Sequence, residues 1–260
     1  MWSLHKGVLV ERRLRIASPV LTRGKIVVNE GFLELTEPEQ FTPVWNMGQL
    51  ASDFAKAWDD EAAAGFAKKY GLLGLNPDCA SASLSELGVT VEPLMYWKRN
   101  VGIVDALLHT WLYIRPARDG HPARLRELWP LLYSELSGDE VAAPDDTGNL
   151  ITRAESTLSA AIAQRVGVVP TTFDFDVGLE SFVFEWQPTT LLQTIYLDMA
   201  LLITSGVELR TCQQCGRPFV VHDKRQRFCN DVCANRARYQ RRAQRERETA
   251  AAIDGEGEAV

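Results

Sequence analysis

Four of the chain's five cysteines stand as two close pairs, Cys212-Gln-Gln-Cys215 and Cys229-Asn-Asp-Val-Cys233, with thirteen residues between them. Nothing else in the sequence restricts the fold so tightly, because two short Cys pairs at this separation match the ligand spacing of a four-thiolate zinc site. A Cys-x2-Cys pair followed by Gly216 suits a tight turn that presents two sulfurs to one ion. A Cys-x3-Cys pair can place one sulfur just before a helix and the next in its first turn, where the helix dipole favours thiolates. Cys212, Cys215, Cys229 and Cys233 are therefore expected to bind one structural Zn²⁺, with no coordination position left open for catalysis. His222, between the pairs, is a weaker ligand candidate because its mid-hairpin position suits a solvent- or phosphate-facing side chain.

The residues around these cysteines predict a knuckle, a hairpin and a helix in the treble-clef manner. Phe219 to Val221 reads as a strand, Lys224 to Phe228 as its return, and a helix begins near Asp231. That helix carries Arg236, Arg238, Arg241, Arg242, Arg245 and Arg247. Arg238, Arg241, Arg242 and Arg245 fall at i, i+3, i+4 and i+7 and so share one face. Asn235, Tyr239 and Gln240 add hydrogen-bonding or stacking capacity.

Charge is divided unevenly along the chain. Residues 1–209 carry 17 Lys and Arg against 27 Asp and Glu, a balance of −10, whereas residues 210–247 carry 11 against 3, a balance of +8. Residues 248–260 hold four acids and no base. A polyanion would be met at one end and repelled by the rest. The expected partner is a nucleic acid, most simply double-stranded DNA, contacted by Lys224, Arg225, Asn235, Arg236, Arg238, Arg241, Arg242 and Arg245. Arginine on a helix can track phosphates and read guanine edges in a major groove. The alternatives are an RNA-binding module, or a protein-interaction module in which zinc only braces a basic helix.

The segment Cys212-Gln-Gln-Cys-Gly-Arg-Pro-Phe, followed by Arg227-Phe-Cys-Asn-Asp-Val-Cys-Ala-Asn-Arg-Ala-Arg and preceded by a leucine-rich helix, resembles the CGNR-type zinc-finger family of bacterial proteins. The likeness spans Leu191 to Arg247, and its central motif falls on Cys233-Ala234-Asn235-Arg236, with alanine where the family has glycine. It implies a mostly helical N-terminal domain, a C-terminal zinc finger with zinc at the four cysteines, and a role in transcription regulation. It leaves Asn235 and Arg236 as candidates for structure or contact.

Upstream, the patterns predict a mainly α protein with small β elements. Residues 1–206 read as one mostly helical domain, 207–248 as the zinc finger with its basic helix, and 249–260 as a disordered acidic tail. Val8, Val10 and Lys25 to Leu35 suggest short N-terminal strands. Helical periodicity covers Asn46 to Tyr70, Val91 to Ile114, Ala123 to Leu136 with a kink at Pro130, and Ile151 to Val166. Residues 75–90 read as a loop, and Ser137 to Asn149 as the most open internal connection. Alternating aromatics near residues 171–187 predict a hairpin, and Pro188 opens a helix that ends at Gly206.

No window is long and apolar enough for a membrane span, and the N-terminus lacks a secretory pattern, so a cytoplasmic protein is expected. Reducing conditions there favour metal-bound over disulfide-bonded cysteines. Cys79 reads as a small buried residue. No phosphate loop, H-E-x-x-H or G-x-S-x-G motif is present, and His5, His109 and His121 lack nucleophilic partners, so no enzymatic activity is expected. The body would sense a ligand or mediate assembly, for example into a homo-oligomer.

Overall fold

A computed structural model describes residues 14–16, 21–29, 31–41, 48–74, 90–139, 141–167, 169, 171–176 and 181–256. The fold is mainly α with small β elements and separates into two compact units, Met1–Gly206 and Val207–Val260. Cys79, His5, Val8 and Val10, and the predicted loop at 75–89, lie outside the described residues.

The first unit begins with β1 (Leu14–Ile16), β2 (Leu21–Asn29) and β3 (Phe32–Phe41). β2 and β3 form an antiparallel hairpin across Gly31, and β4 (Thr90–Pro93) adds to the far edge of β3. Leu33 and Leu35 are buried while Phe32 is exposed, the period-2 signature of a sheet with one covered face. A second sheet joins β5 (Thr171–Asp176) to β6 (Ser181–Trp186) as an antiparallel pair, and β1 lies parallel to β6 on its other side. That pairing, Leu14 with Phe184, spans nearly the whole unit and has no local sequence signal.

Helices supply the core. The stretch that reads as one helix from Asn46 to Tyr70 is two, α1 (Gln49–Phe54) and α2 (Asp60–Tyr70). Asp59 restarts the helix by accepting the Ala62 N–H at 2.7 Å, a cap that competes with continuation. α3 starts at Leu94 rather than Val91, because residues 90–93 are drawn into β4, and it runs to Arg118. α4 (Ala123–Ser137) runs unbroken through Pro130, the position of the expected kink. Burial of Leu125, Trp129 and Leu132 on one face offsets the roughly 3 kcal/mol that an interior proline costs. α5 spans Thr147–Val166, its first turn capped by Asp146, which accepts the Asn149 N–H at 2.7 Å. Part of the predicted open connection is therefore a helix cap. α6 (Leu191–Ser205) is capped by Thr190, two residues after Pro188.

Phe54, Phe66 and Trp97 meet edge-on or tilted at centroid distances of 5.2–6.1 Å, joining α1, α2 and α3. Two buried carboxylates fasten this core to the chain around it. Asp198 of α6 accepts the N–H groups of Gly48 at 2.7 Å and Ala51 at 3.0 Å, capping α1, which has no cap of its own. Glu92 of β4 accepts from Leu73 N–H at 2.9 Å, Gly74 N–H at 2.6 Å and the Trp97 indole N–H at 2.7 Å. Each is only 2% exposed. A buried charge survives only when hydrogen-bonded in this way.

Asp198→Ala leaves two buried amides unsatisfied and frees the start of α1. Bonds to charged groups contribute about 1.5–3 kcal/mol each, so the variant should lose roughly 3 kcal/mol. The loss is expected as a lower urea midpoint at unchanged slope; a midpoint within error of the parent would rule out the clamp.

Candidate metal centre

Val207–Val260 opens with β7 (Leu209–Thr211), which pairs antiparallel with β8 (Pro218–Val220). The knuckle between them carries the first cysteine pair. It closes through Cys212 N–H to Arg217 O at 2.9 Å and Gly216 N–H to Cys212 O at 2.9 Å. Gly216 has φ of 74°, a left-handed conformation that residues with a Cβ resist. The strand partner of Phe219 is thus upstream, not downstream: Lys224 to Phe228 forms a turn-rich loop where a returning strand is expected. Local polar bonds hold it in that shape. Asp223 accepts the Arg225 N–H at 2.8 Å, and the Arg210 guanidinium donates to Lys224 O at 2.6 Å and Gln226 O at 3.2 Å. Gln226 spans the loop, accepting the His222 N–H at 3.1 Å and donating to Phe228 O at 3.2 Å.

α7 (Asp231–Glu256) follows, with Asn230 as its cap: the Asn230 side-chain oxygen accepts the Cys233 N–H at 2.9 Å. Cys229 therefore lies just outside the helix and Cys233 in its first turn. The knuckle is tied to this half by Gln213 N–H to Arg227 O at 3.1 Å and by Cys229 N–H to Cys212 Sγ at 3.5 Å.

These constraints bring the four sulfurs within 4.8 Å of one another. Cys215 and Cys229 Sγ are 3.8 Å apart, and Cys229 and Cys233 Sγ are 3.6 Å apart. Four sulfurs at the corners of a tetrahedron with metal–sulfur bonds of ~2.3 Å are separated by about 3.8 Å. Both distances are far beyond the ~2.05 Å of a disulfide. The set can therefore hold a tetrahedral metal ion. His222 does not join the cluster and is exposed. Cys212 is buried, Cys229 and Cys233 half-buried and Cys215 exposed.

Electrostatics around the thiols are uneven. Burial pushes the Cys212 thiol up, but backbone N–H groups of Cys215, Cys229 and Gln214, with the Cys215 thiol, outweigh it and lower the pKa from 9.0 to about 7. Burial raises Cys233, and negative charge on Cys215 and Cys212 raises it further, against a lowering bond to Cys229. One sulfur is prepared as a thiolate while another resists taking a negative charge beside it. A bound cation removes that conflict.

The predicted contact residues occupy two places. Lys224 and Arg225 lie exposed on the loop, and Asn235, Arg236, Arg238, Arg241, Arg242 and Arg245 on α7. Several of the helix arginines are engaged: Arg238 donates to Asn235 at 3.3 Å, Arg241 to Ala237 O at 3.2 Å and Arg242 to Glu246 at 2.8 Å. Ala237 is buried, so the helix packs along the line through Cys233 and Ala237. At about 100° per residue, Arg238, Arg241, Arg242 and Arg245 flank that line on one side, and Arg236 and Arg247 on the other. Arg225 and Arg227 line a shallow cleft of about 290 Å³ with Phe228, Asn230, Asp231 and Ala234. The charge pattern alone singles out neither Arg227 nor Arg210, the side chain that holds the loop. Asn230-Asp231, directly after Cys229, is a visible cap signal for the helix start.

α7 continues to Glu256, into the stretch whose acidic composition predicts a disordered tail. Ala250, Ala251 and Ala252 are strong helix formers, and extending an existing helix needs no new nucleation. Among the described residues no helix is long and apolar enough to cross a membrane. Comparison with protein-family models, curated proteins and solved structures returns no match.

Because its folded pKa lies below 9.0, Cys212 adds stability to the metal-free, reduced module above pH 9. That contribution is lost as pH falls through about 7. Amide hydrogen-exchange protection over residues 209–220, corrected for intrinsic rates, should drop across this range. Flat protection would exclude the N–H···S⁻ network.

Proposed function

We propose that Val207–Val260 is a zinc-braced module that binds double-stranded DNA, and that the protein is a transcriptional regulator. One observation carries the proposal. Beside the four-sulfur cluster, the side chains of Lys224, Arg225, Arg227, Arg236 and Arg247 make no ion pair or hydrogen bond among the described residues. Exposed cations without partners gain little inside the protein and are available to neutralise phosphates, releasing counterions. Zinc is the ion assigned, since a closed four-thiolate tetrahedron is its structural coordination. The resemblance of Leu191 to Arg247 to CGNR-type fingers agrees with both parts.

Duplex DNA is favoured over RNA by the shape of the basic element. A helix fits the ~12 Å major groove of B-DNA, whereas the major groove of A-form RNA is too narrow for side-chain readout. Zinc's part is architectural: it would join the knuckle to the start of α7, holding the loop arginines beside the helix arginines. Tyr239, 73% exposed on the outer face, would add stacking or phosphate contact.

Full-length protein purified under reducing conditions without chelator is expected to carry one zinc per chain; well under one refutes the metal assignment. Binding to a labelled DNA duplex should weaken steeply with salt, by about 0.9 in log–log slope for each phosphate neutralised. Arg225→Ala with Arg236→Ala should reduce the slope by about 2 and weaken binding at all sequences alike. Binding that is absent, or unchanged in the double variant, would turn the assignment to a protein-interaction module.

A further inference from the structure

Between the two lines of arginine on α7 runs a stripe without charge. At about 100° per residue, Val232, Asn235 and Tyr239 fall within about 60° of one another, on the side of the helix away from Cys233 and the buried Ala237. Arg238, Arg241, Arg242 and Arg245 border the stripe on one side, and Arg236 and Arg247 on the other; all six are exposed. The stripe ends before Glu246, which pairs with Arg242 at 2.8 Å. From Val232 to Tyr239 it is about 10.5 Å long, at 1.5 Å per residue.

The side chains of the stripe differ in kind from those that border it. Val232 is 68% exposed and Tyr239 73%, and they are the large apolar side chains that the second unit leaves in water among its described residues. Asn235 stands between them. Its Oδ1 accepts the Arg238 Nη1–H at 3.3 Å, which restrains the amide and leaves both Nδ2 hydrogens and a second lone pair on Oδ1 for a partner.

A helix lying in a B-DNA major groove meets two different surroundings. Its innermost face touches base edges, which offer donors, acceptors and the thymine methyl, while its flanks pass the phosphates of the two strands. Around α7 the order of residues in cross-section is cation, neutral, cation, which matches that division. A helix that only neutralised a polyanion, or docked on an acidic protein surface, would gain most from arginine on its central line, where a valine and a tyrosine stand.

We propose that, with duplex DNA as the partner inferred above for this module, Val232 and Asn235 are specificity residues that read two neighbouring A·T pairs in the major groove. The Asn235 amide donates to adenine N7 and accepts from the adenine N6 amino group, and the Val232 methyls pack on the C5-methyl of a thymine. Three residues of helix rise about 4.5 Å, close to one base-pair step of about 3.4 Å, so the two contacts fall on adjacent pairs. Tyr239 ends the stripe, where the helix passes out toward the backbone.

Full-length, reduced protein is used to select from a randomised duplex library, and the enriched duplex is compared with a scrambled one at the same salt concentration. Enriched duplexes are expected to share adjacent pairs that present an adenine and a thymine methyl. Asn235→Ala should weaken the enriched duplex about tenfold or more, and leave the scrambled duplex and the salt slope as in the parent. An adenine analogue with carbon in place of N7 should weaken binding by the parent but not by Asn235→Ala. Deoxyuridine in place of the thymine should likewise weaken binding by the parent but not by Val232→Ala. Both side chains are exposed, so zinc content and unfolding midpoint should be those of the parent in each variant. Duplex binding without sequence preference, a preference that both variants keep, or a parent insensitive to both base analogues overturns the reading stripe and leaves the phosphate contacts standing. Absence of duplex binding overturns both.

Discussion

The second unit depends on four sulfurs meeting at one point. Its buried apolar residues are few, chiefly Leu209, Phe219, Val220 and Ala237 with Cys212 itself. A module this small gains little stability from such a core, and a metal held by the four sulfurs would add to it as a staple. The backbone is shaped to that end: a left-handed glycine turns the knuckle, N–H groups point at Cys212, and Asn230 starts a helix so that Cys229 and Cys233 face the same centre. Loosening that point would leave α7 with one buried alanine among its described side chains and a few weak pairs along its surface.

Charge is handled in opposite ways in the two units. In the first, acids are taken inside and saturated: Asp198 caps α1 from α6, and Glu92 gathers two amides and an indole N–H. In the second, bases are left outside, and several have nothing to bind among the described residues. Internal carboxylates act as rigid fasteners because a buried charge cannot exchange its donors for water. Exposed guanidinium groups keep their hydration until a polyanion displaces it. The acids of the first unit are thus fasteners, and the bases of the second are the groups that the proposed polyanion binding would use.

A small polar cleft between α1 and α2, lined by Asp53, Lys56, Lys69 and Tyr70, belongs to neither pattern. Its charges are neither fully buried nor fully solvated. The clamp by Asp198 ties the first of its two helices to α6.

What the sequence determined on its own is local: ligand chemistry, periodicity and caps. Cys212, Cys215, Cys229 and Cys233 were legible as one candidate ligand set because their spacings are those of a turn and a helix start, which short-range geometry dictates. The helices and the hairpin near 171–187 were legible for the same reason, since periods of 3.6 and 2 are written residue by residue. Tertiary structure alone decided everything that depends on distant partners. It paired β1 with β6 and drew residues 90–93 into a sheet. It placed Asp198, which reads only as a charge interrupting an apolar helix, where it caps α1. It turned Lys224 to Phe228 into a loop through the Arg210 guanidinium, and it gathered Asp53, Lys56, Lys69 and Tyr70 around one cleft. A buried hydrogen bond is set by which groups lose water together, and that is a property of packing rather than of sequence neighbours.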